Sequence, residues 1–108
     1  MVIAVDFDGT LCSDCYPEIG TANKKLIWEL INRKAMGDKL ILWTCRVGDR
    51  LKEAVDWCSQ QGLCFDAVND NLPETILKWG ANSRKITADV YIDDRAAAPT
   101  ESFYEMVI

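Results

Sequence analysis

Short, largely apolar segments, separated by segments with helical spacing, decide which folds are open to this chain. In the first two of them, residues 2–5 and Lys39–Trp43, apolar and polar residues do not alternate, which predicts strands covered on both faces of the sheet. The predicted strands are residues 2–5, Lys39–Trp43, Cys64–Val68 and Val90–Ile92. Strands of this kind are typical of a parallel sheet with helices packed against it.

The segments between the strands carry the periodicity and end signals of helices. Thr21 and Asp49 are the expected N-caps of the first two helices, and Gly37 and Gly62 stand where these helices should end. The predicted helices occupy residues 22–36, the stretch between Asp49 and Gly62, residues 73–79 and, for a turn or two, residues 100–107. Right-handed crossovers between such elements give an α/β fold, a three-layer α/β/α arrangement around a short, mostly parallel sheet.

Length and composition exclude several classes of protein. The 108 residues suit a single domain over residues 1–108. A net charge of −5 disfavours a broad nucleic-acid-binding face, and the absence of histidine excludes serine triads and histidine metal sites. No apolar run approaches the ~20 residues that span a bilayer, and the start of the chain lacks the basic segment of a signal peptide. We therefore expect a cytoplasmic protein without a membrane partner.

Polar residues follow the predicted strands at the point where each strand ends. Asp6 and Asp8 follow the first strand, Thr44 follows the second, and Asp93 and Asp94 follow the fourth. Because parallel strands end at one edge of the sheet, these side chains are expected to gather there, where ligands of such sheets bind. Several carboxylates in one place need a compensating cation, and oxygen ligands suit Mg²⁺. Taken singly, each aspartate is equally well explained as a turn former or a helix cap.

The order of these residues resembles that of the haloacid dehalogenase (HAD) superfamily. The run D-F-D-G-T-L from Asp6 to Leu11 is similar to the first motif of that superfamily, and Thr44, a basic residue and the Asp93-Asp94 pair follow in its order. The longer phrases W-T-C-R (43–46) and R-K-I-T-A-D-V-Y-I-D-D (84–94) resemble small HAD-type hydrolases of bacteria and their phages. The resemblance covers the whole core of the chain.

The resemblance implies a Rossmann-like hydrolase, most simply a phosphatase, that works through an aspartyl-phosphate. Asp6 would be the nucleophile and Asp8 the general acid and base, and Thr44 would donate a hydrogen bond to the transferring phosphoryl group. Mg²⁺ would be held by Asp6, by Asp8 through its backbone carbonyl, by Asp93 and, directly or through water, by Asp94. Each role suits the chemistry of the side chain to which it falls.

The resemblance also implies a catalytic lysine, for which the chain offers two candidates. Lys85 is the favoured one, although it lies eight residues before Asp93 and a long intervening strand would hold it at the wrong end of the sheet. A strand of only three residues, ~10 Å long, leaves enough loop for its side chain to return. Lys78, on the third predicted helix, is the alternative.

Other polar residues at this edge have both a functional and a structural interpretation. With Thr44, Gly9 and Arg46 are the predicted substrate contacts, and Arg46 would touch the leaving group or a second phosphate. The alternative for Arg46 is a solvated loop arginine paired with Asp49. Residues 69–71 (N-D-N) either line the rim of the site or form a turn and a helix cap.

The segment after the first motif bears on the class of substrate. HAD phosphatases often insert a cap domain either at this point or between the third strand and the basic motif. Here residues 12–20 are predicted to form only a loop, and the later interval is predicted to hold only one short helix. The resemblance therefore implies a domain without a cap. Within the family, an open site implies a large phosphorylated substrate or a lid from another subunit. Net acidity disfavours nucleic acid as that substrate, although an end-processing enzyme needs only a few local phosphate contacts.

Cys12 and Cys15 have C-x-x-C spacing, but the chain has no second such pair and no histidine to complete a zinc site.

Three other interpretations of the acidic residues compete with a phosphatase. A phospho-acceptor receiver domain also gathers aspartates, a threonine and a lysine, but its acidic pair follows the first strand and its acceptor a later one. A calcium loop starting at Asp6 is excluded, because Leu11 stands where the loop needs glycine and Pro17 where it needs glutamate. A binding protein that keeps the fold without turnover remains the main alternative.

Overall fold

A four-stranded parallel sheet forms the centre of the protein. The structure is a computed structural model that describes residues 1–79 and 88–92. In chain order its elements are β1 (Val2–Val5), β2 (Cys12–Cys15), β3 (Glu18–Ala22), α1 (Lys24–Ala35), β4 (Lys39–Leu42), α2 (Gly48–Gln60), β5 (Ala67–Val68), α3 (Pro73–Trp79) and β6 (Val90–Ile92). Strands β5, β4, β1 and β6 lie side by side in that order, and each neighbouring pair is parallel. The predicted α/β class with a parallel sheet is confirmed.

The observed bounds agree with the sequence in most elements and differ most at β5. Strands β1 and β6 and helix α3 have the predicted bounds, and β4 ends one residue early. Strand β5 starts at Ala67 rather than Cys64, because the carboxylate of Asp66 accepts the hydrogen bond of Leu40 N at 2.8 Å where a strand would use a carbonyl. The helical tail predicted over residues 100–107 lies outside the described residues.

Both predicted N-caps are wrong by a residue or two. Helix α1 is capped by Asn23, whose side chain accepts from Leu26 N at 3.3 Å, because Thr21 still belongs to strand β3. Helix α2 starts at Gly48, so Asp49 lies inside its first turn. A carboxylate there faces the positive end of the helix dipole, which stabilises the helix start without a capping hydrogen bond.

The strand order places a topological switch beside β1. The chain runs from β1 outward to β4 and β5, then returns to β6 on the other side of β1. The ladder between β1 and β6 extends past their ends, since Asp6 N donates to Ile92 O at 2.9 Å. In open parallel sheets, ligands bind beyond the carboxyl ends of the strands at such a switch. Asp6 therefore stands at the position that this architecture favours for a ligand.

Apolar side chains cover both faces of the sheet, as the unbroken runs predict. Ile3 and Val5 face a core that contains Leu26 of α1 and Ala54 of α2. The opposite face carries a smaller cluster built on Ala4, Ile41 and Leu72. The central strands are therefore buried from both sides, although α1 and α2 share one face. In the part of the chain that the structure describes, no helix is long and apolar enough to cross a membrane.

Residues 12–22 form a β-hairpin, not the loop that the sequence predicts. Strands β2 and β3 pair antiparallel. Gly20 permits this pairing, because a Cβ at that position would lie 2.1 Å from Ser13 Oγ and 2.3 Å from Ser13 O. Thr21 N donates to the same Ser13 Oγ at 2.8 Å. The hairpin stands next to the first-motif loop and becomes part of the site described below.

A cluster of charges joins the start of the chain to the end of α1. The Met1 ammonium donates to Asp38 Oδ1 at 2.7 Å, and Arg33 Nε lies 2.6 Å from Asp38 Oδ2. Burial opposes ionisation of this carboxyl group. The ammonium hydrogen bond and the charge of Arg33 outweigh burial and hold the pKa of Asp38 below its ordinary value of 3.8.

We expect Asp38→Asn to lower the free energy of unfolding at neutral pH and to matter less and less below pH 3.8. A carboxylate with a lowered native pKa stabilises the fold above its unfolded value, and that contribution is lost as the pH falls through the native value. Urea unfolding of both proteins across this range measures the difference. A difference that stays constant with pH would contradict the ion cluster.

Candidate functional site

The loop after β1 is a tight turn held at the carboxyl edge of the sheet. Phe7 O accepts hydrogen bonds from Thr10 N at 3.2 Å and Leu11 N at 3.0 Å. Gly9 N donates to Cys12 O at 2.9 Å, and Gly9 has a φ of 82°, in the left-handed region that favours glycine. The turn therefore fixes Asp6 and Asp8 relative to the sheet, and Gly9 has a conformational role whether or not it contacts a substrate.

Thr44 lies at the same edge, held by the neighbouring strands. Trp43 N donates to Val5 O at 2.9 Å, which continues the pairing of β4 with β1 up to the residue before Thr44. Thr44 N donates to Asn69 Oδ1 at 2.7 Å, and Thr44 Oγ1 accepts from Arg46 N at 3.2 Å. Because the hydroxyl oxygen acts as an acceptor here, its own hydrogen can point away from the protein backbone toward a ligand.

Asn69 forms a turn and also accepts a hydrogen bond from the backbone of Thr44. Its φ of 51° is left-handed, a conformation that asparagine tolerates better than most residues, and its N donates to Leu42 O at 2.7 Å. The turn interpretation of residues 69–71 thus holds for Asn69. The same turn aims the Asn69 amide oxygen at Thr44 N, so a residue of the predicted rim supports a residue of the predicted site.

Arg46 is the largest fully buried side chain of the described residues, with 1% of its surface exposed. Its Nε donates to Asp8 Oδ2 at 2.8 Å and its Nη2 to Asp8 Oδ1 at 2.7 Å. This bidentate pair uses both oxygens of the carboxylate, the geometry in which arginine binds carboxylates most tightly. The alternative of a solvated Arg46 paired with Asp49 is wrong, because the partner is Asp8 and the side chain is enclosed.

The remaining contacts of Arg46 come from the hairpin and from two aromatic rings. Nη1 donates to Pro17 O at 3.2 Å and Nη2 to Glu18 O at 3.0 Å. The guanidinium carbon lies 5.0 Å from the centroid of the Phe7 ring and 5.1 Å from that of Tyr16, within cation–π distance of both. Contacts within the described residues engage four of the five guanidinium N–H groups and leave one on Nη1. The predicted contact of Arg46 with a leaving group or a second phosphate would have to use that N–H group in this arrangement, and it stays a prediction.

The pairing settles the charge at this point of the site. The hydrogen bond to Asp8 raises the pKa of Arg46 above its ordinary value, more than burial lowers it. Arg46 therefore stays a cation, and Asp8 lies directly against it with about a fifth of its side chain exposed. Sequence reasoning missed this pair. The sequence feature that could have indicated the pair is that Asp8 and Arg46 each follow a predicted strand, and that parallel strands end at the same edge of the sheet.

Several predicted site residues fall where the structure gives no description. Lys85, Asp93 and Asp94 lie outside the described residues, and Lys78 is part of α3. Asp6, Asp8, Gly9, Thr44 and Arg46 are all placed at the carboxyl edge. Within residues 1–79 and 88–92, no three acidic or cysteine side chains converge to hold a metal ion. The oxygen donors that these ranges supply, the Asp6 carboxylate and the Asp8 carbonyl, are of the hard type that suits Mg²⁺.

The two thiols of the C-x-x-C spacing lie in different environments. Cys12 is buried in the core and Cys15 is exposed on the hairpin. Burial raises the pKa of Cys12, and it raises the pKa of Cys58 to about 12. Cys45 and Cys64 are exposed.

We expect a thiol reagent to modify three cysteines of the folded protein, the exposed Cys15, Cys45 and Cys64. The two buried thiols are both inaccessible and protonated, and the thiolate is the reactive form. Titration with a chromogenic disulfide, before and after adding denaturant, measures how many thiols react in the folded protein and how many react in the unfolded protein. Labelling of Cys58 in the folded state would contradict the packing described here.

Comparison with known proteins yields one informative relationship. No family model matches the chain. No curated protein matches it. Among solved structures, a conserved protein coded by a locus of Bacteroides thetaiotaomicron superposes with a TM-score of 0.86 and is 41% identical, over 99% of this chain and 88% of that one. The similarity extends over nearly the whole length of both proteins, so the architecture is shared.

Proposed function

We propose that this chain, which belongs to the same family as the conserved Bacteroides thetaiotaomicron protein, is a Mg²⁺-dependent phosphohydrolase with a capless, three-layer HAD-type fold. The observation that carries the proposal is the position of Asp6. It follows β1 at the topological switch of a parallel sheet, on a tight glycine turn, with Thr44 at the end of the adjacent strand. A nucleophile and a hydrogen-bond donor at that edge are what phosphoryl transfer needs from the protein.

In the first step, an Oδ atom of Asp6 forms a bond to phosphorus and the bond from phosphorus to the leaving oxygen breaks. Asp8, in its protonated form, gives its proton to that leaving oxygen. The hydroxyl of Thr44 donates a hydrogen bond to a phosphoryl oxygen as charge moves onto it. The products of this step are the alcohol or phenol and an aspartyl-phosphate on Asp6.

In the second step, Asp8 is a carboxylate and takes a proton from a water molecule as the water oxygen attacks phosphorus. The bond between phosphorus and the Asp6 oxygen breaks, which releases inorganic phosphate and restores both aspartates to their starting forms. Both oxygens of Asp8 accept hydrogen bonds from Arg46, a pattern that is compatible with the carboxylate form that this step uses. Donation in the first step needs one of its oxygens to leave the guanidinium.

A divalent cation fits the oxygen donors of this loop. The Asp6 carboxylate and the Asp8 carbonyl, with Asp93 and Asp94 that follow β6 in the sequence, would hold Mg²⁺. When bound, Mg²⁺ neutralises negative charge on the phosphoryl group and orients it for in-line attack. The interval between the first motif and α1 holds a hairpin instead of a cap domain, which supports a large phosphorylated substrate or a lid from a second subunit.

Substitution of Lys85 and of Lys78 is expected to have different effects on catalysis. We expect Lys85→Ala to lower kcat/KM by about 100-fold, because the lysine neutralises charge that develops in the transition state, and Lys78→Ala to change it little. Kinetics of the two variants side by side distinguish the lysines, each serving as the control for the other. The reverse ranking assigns the role to Lys78, and two unchanged variants would contradict a catalytic lysine at either position.

The activity itself is tested with a generic aryl phosphate, 4-nitrophenyl phosphate, with Mg²⁺ and with a chelator. Metal-dependent release of 4-nitrophenol supports the proposal, and the Asp6→Asn variant, purified in the same way, excludes a contaminating phosphatase. Equal rates in Mg²⁺ and chelator would contradict it.

A non-catalytic phosphate- or metal-binding module is the second candidate. One observation favours it: both oxygens of Asp8 are engaged by Arg46, an arrangement that suits a fixed structural carboxylate as well as an acid–base residue. The two candidates differ in turnover. Bound phosphate without any hydrolysis of aryl or macromolecular phosphates would select the binding module.

A further inference from the structure

We infer that Arg46 is a positioning residue, which clamps the tip of the β2–β3 hairpin onto Asp8 and so makes the hairpin a fixed wall of the site. The inference rests on the proposed function and deepens it, since it assigns Arg46 a role in the same reaction that is exerted through Asp8 and the hairpin. It depends on the contacts of one enclosed guanidinium with two separate parts of the chain.

The base of the hairpin is anchored without Arg46. Cys12 is buried in the core, and Ile19 and Ala22 pack against it. Asn23 N, directly after β3, donates to Leu11 O at 2.8 Å. The antiparallel pairing of β2 with β3 continues from these ends up to Cys15 and Glu18. It holds the two strands to each other but does not tie the turn between them to the rest of the protein.

The tip of the hairpin is exposed and depends on Arg46. Residues Cys15 to Glu18 all lie at the surface. The guanidinium binds Pro17 O and Glu18 O through its hydrogen bonds and lies against the Tyr16 ring. A short exposed turn with few apolar contacts opens easily unless its polar groups are held. Arg46 is the group that holds this one.

The same guanidinium fixes Asp8. Its Nε and Nη2 take both carboxylate oxygens, so the carboxylate cannot rotate without breaking one of these hydrogen bonds. The guanidinium carbon lies within cation–π distance of the ring of Phe7, next to Asp8 in the chain, and of the ring of Tyr16 at the hairpin tip. A planar guanidinium can make a bidentate pair and lie against aromatic rings at the same time, which the ammonium of lysine cannot. Displacement of the hairpin tip and displacement of Asp8 are therefore coupled through one side chain.

The test uses Arg46→Lys and Arg46→Gln, with Arg50→Lys and Arg50→Gln as matched controls. Arg50 is an exposed arginine of α2 that pairs with Glu53 at the surface. Arg46→Lys keeps a positive charge beside Asp8, so this variant is expected to stay folded even if Arg46→Gln unfolds, and the test can still be read. Two measurements are made on each protein: hydrogen exchange by mass spectrometry, and steady-state hydrolysis of 4-nitrophenyl phosphate.

We expect both Arg46 variants to exchange the amides of residues 12–22 at least about tenfold faster, while residues 2–5 and 39–42 speed up only as far as the global stability falls, which urea unfolding of the same variants measures. We expect kcat to fall by about 100-fold, the scale of a displaced general acid–base group, and KM to change by less than about twofold. The Arg50 controls should match the wild type. Unchanged exchange in the hairpin would overturn the clamp, and a raised KM with normal kcat would make Arg46 a substrate ligand instead.

The two measurements separate this inference from the proposed function. If the wild type hydrolyses no phosphate, the proposed function fails and the catalytic part of the inference fails with it. Hydrogen exchange still decides whether Arg46 clamps the hairpin, because it does not depend on turnover.

Discussion

Replacing Asp6 with asparagine is expected to lower kcat by at least about 10³-fold, equivalent to roughly 4 kcal/mol of activation free energy. An amide is nearly the same size as a carboxylate but carries no charge and cannot form an acyl-phosphate that water then hydrolyses. The backbone contact that places Asp6, its N bonded to Ile92 O, does not involve the side chain. Since the amide also keeps the size of the side chain, we expect the variant to fold and to lose nearly all turnover.

The matched control for this experiment is Asp56→Asn. Asp56 is an exposed aspartate of α2 paired with Lys52 at the surface, so the same chemical change is made away from the site. Hydrolysis of 4-nitrophenyl phosphate measures activity, and circular dichroism measures folding. Wild-type rates in Asp6→Asn would remove Asp6 as the nucleophile, and loss of activity in both variants would show that the effect is not specific to the site.

Replacing Arg46 with methionine is expected to lower the free energy of unfolding by about 2–4 kcal/mol. Breaking a buried ion pair from one side typically destabilises a protein by ~3–5 kcal/mol, because the partner charge is left uncompensated. The lower range applies here because about a fifth of the Asp8 side chain is exposed and water can solvate it. Two hairpin carbonyls lose their donors as well. Urea unfolding measures the change.

Arg50→Met is the control for the stability experiment. Its pair with Glu53 is nearly half exposed on both sides, and such pairs contribute ~0–1 kcal/mol. The double variant Arg46→Met with Asp8→Asn should lose less than the sum of the two single variants, since each removes the same interaction. Equal losses in Arg46→Met and Arg50→Met, or full additivity with Asp8→Asn, would contradict the buried pair.

The sheet and the helices could be predicted because their physics is local. Residues 2–5 and 40–43 are apolar at consecutive positions, and this alone identifies strands buried on both faces. The order of Asp6, Asp8 and Thr44 after those strands then places them at one edge, since parallel strands end together. The hairpin at residues 12–22 could not be predicted because most residues of its strands are exposed or only half-buried, and because its pairing depends on the close approach of Gly20 to Ser13, which no sequence pattern displays.

The contacts of Arg46 could not be predicted for a different reason. Whether an arginine two residues after a strand faces solvent or an aspartate depends on where a separate hairpin folds, and that hairpin was not foreseen. The pairing of Arg46 with Asp8, Pro17 and Glu18 joins positions 28 to 38 residues apart in sequence. The roles of Lys85, Asp93 and Asp94 stay predictions from the sequence.

The central claim is that Asp6 accepts a phosphoryl group, and trapping a phosphoryl analogue on it tests that claim most directly. Beryllofluoride bonds to an aspartate oxygen in the geometry of an acyl-phosphate, and fluorine NMR detects the bound species whether or not the natural substrate is known. We predict a bound resonance in the wild type with Mg²⁺ that is absent in Asp6→Asn and retained in Asp56→Asn. A bound resonance of equal intensity in Asp6→Asn, or none in the wild type, would contradict the claim.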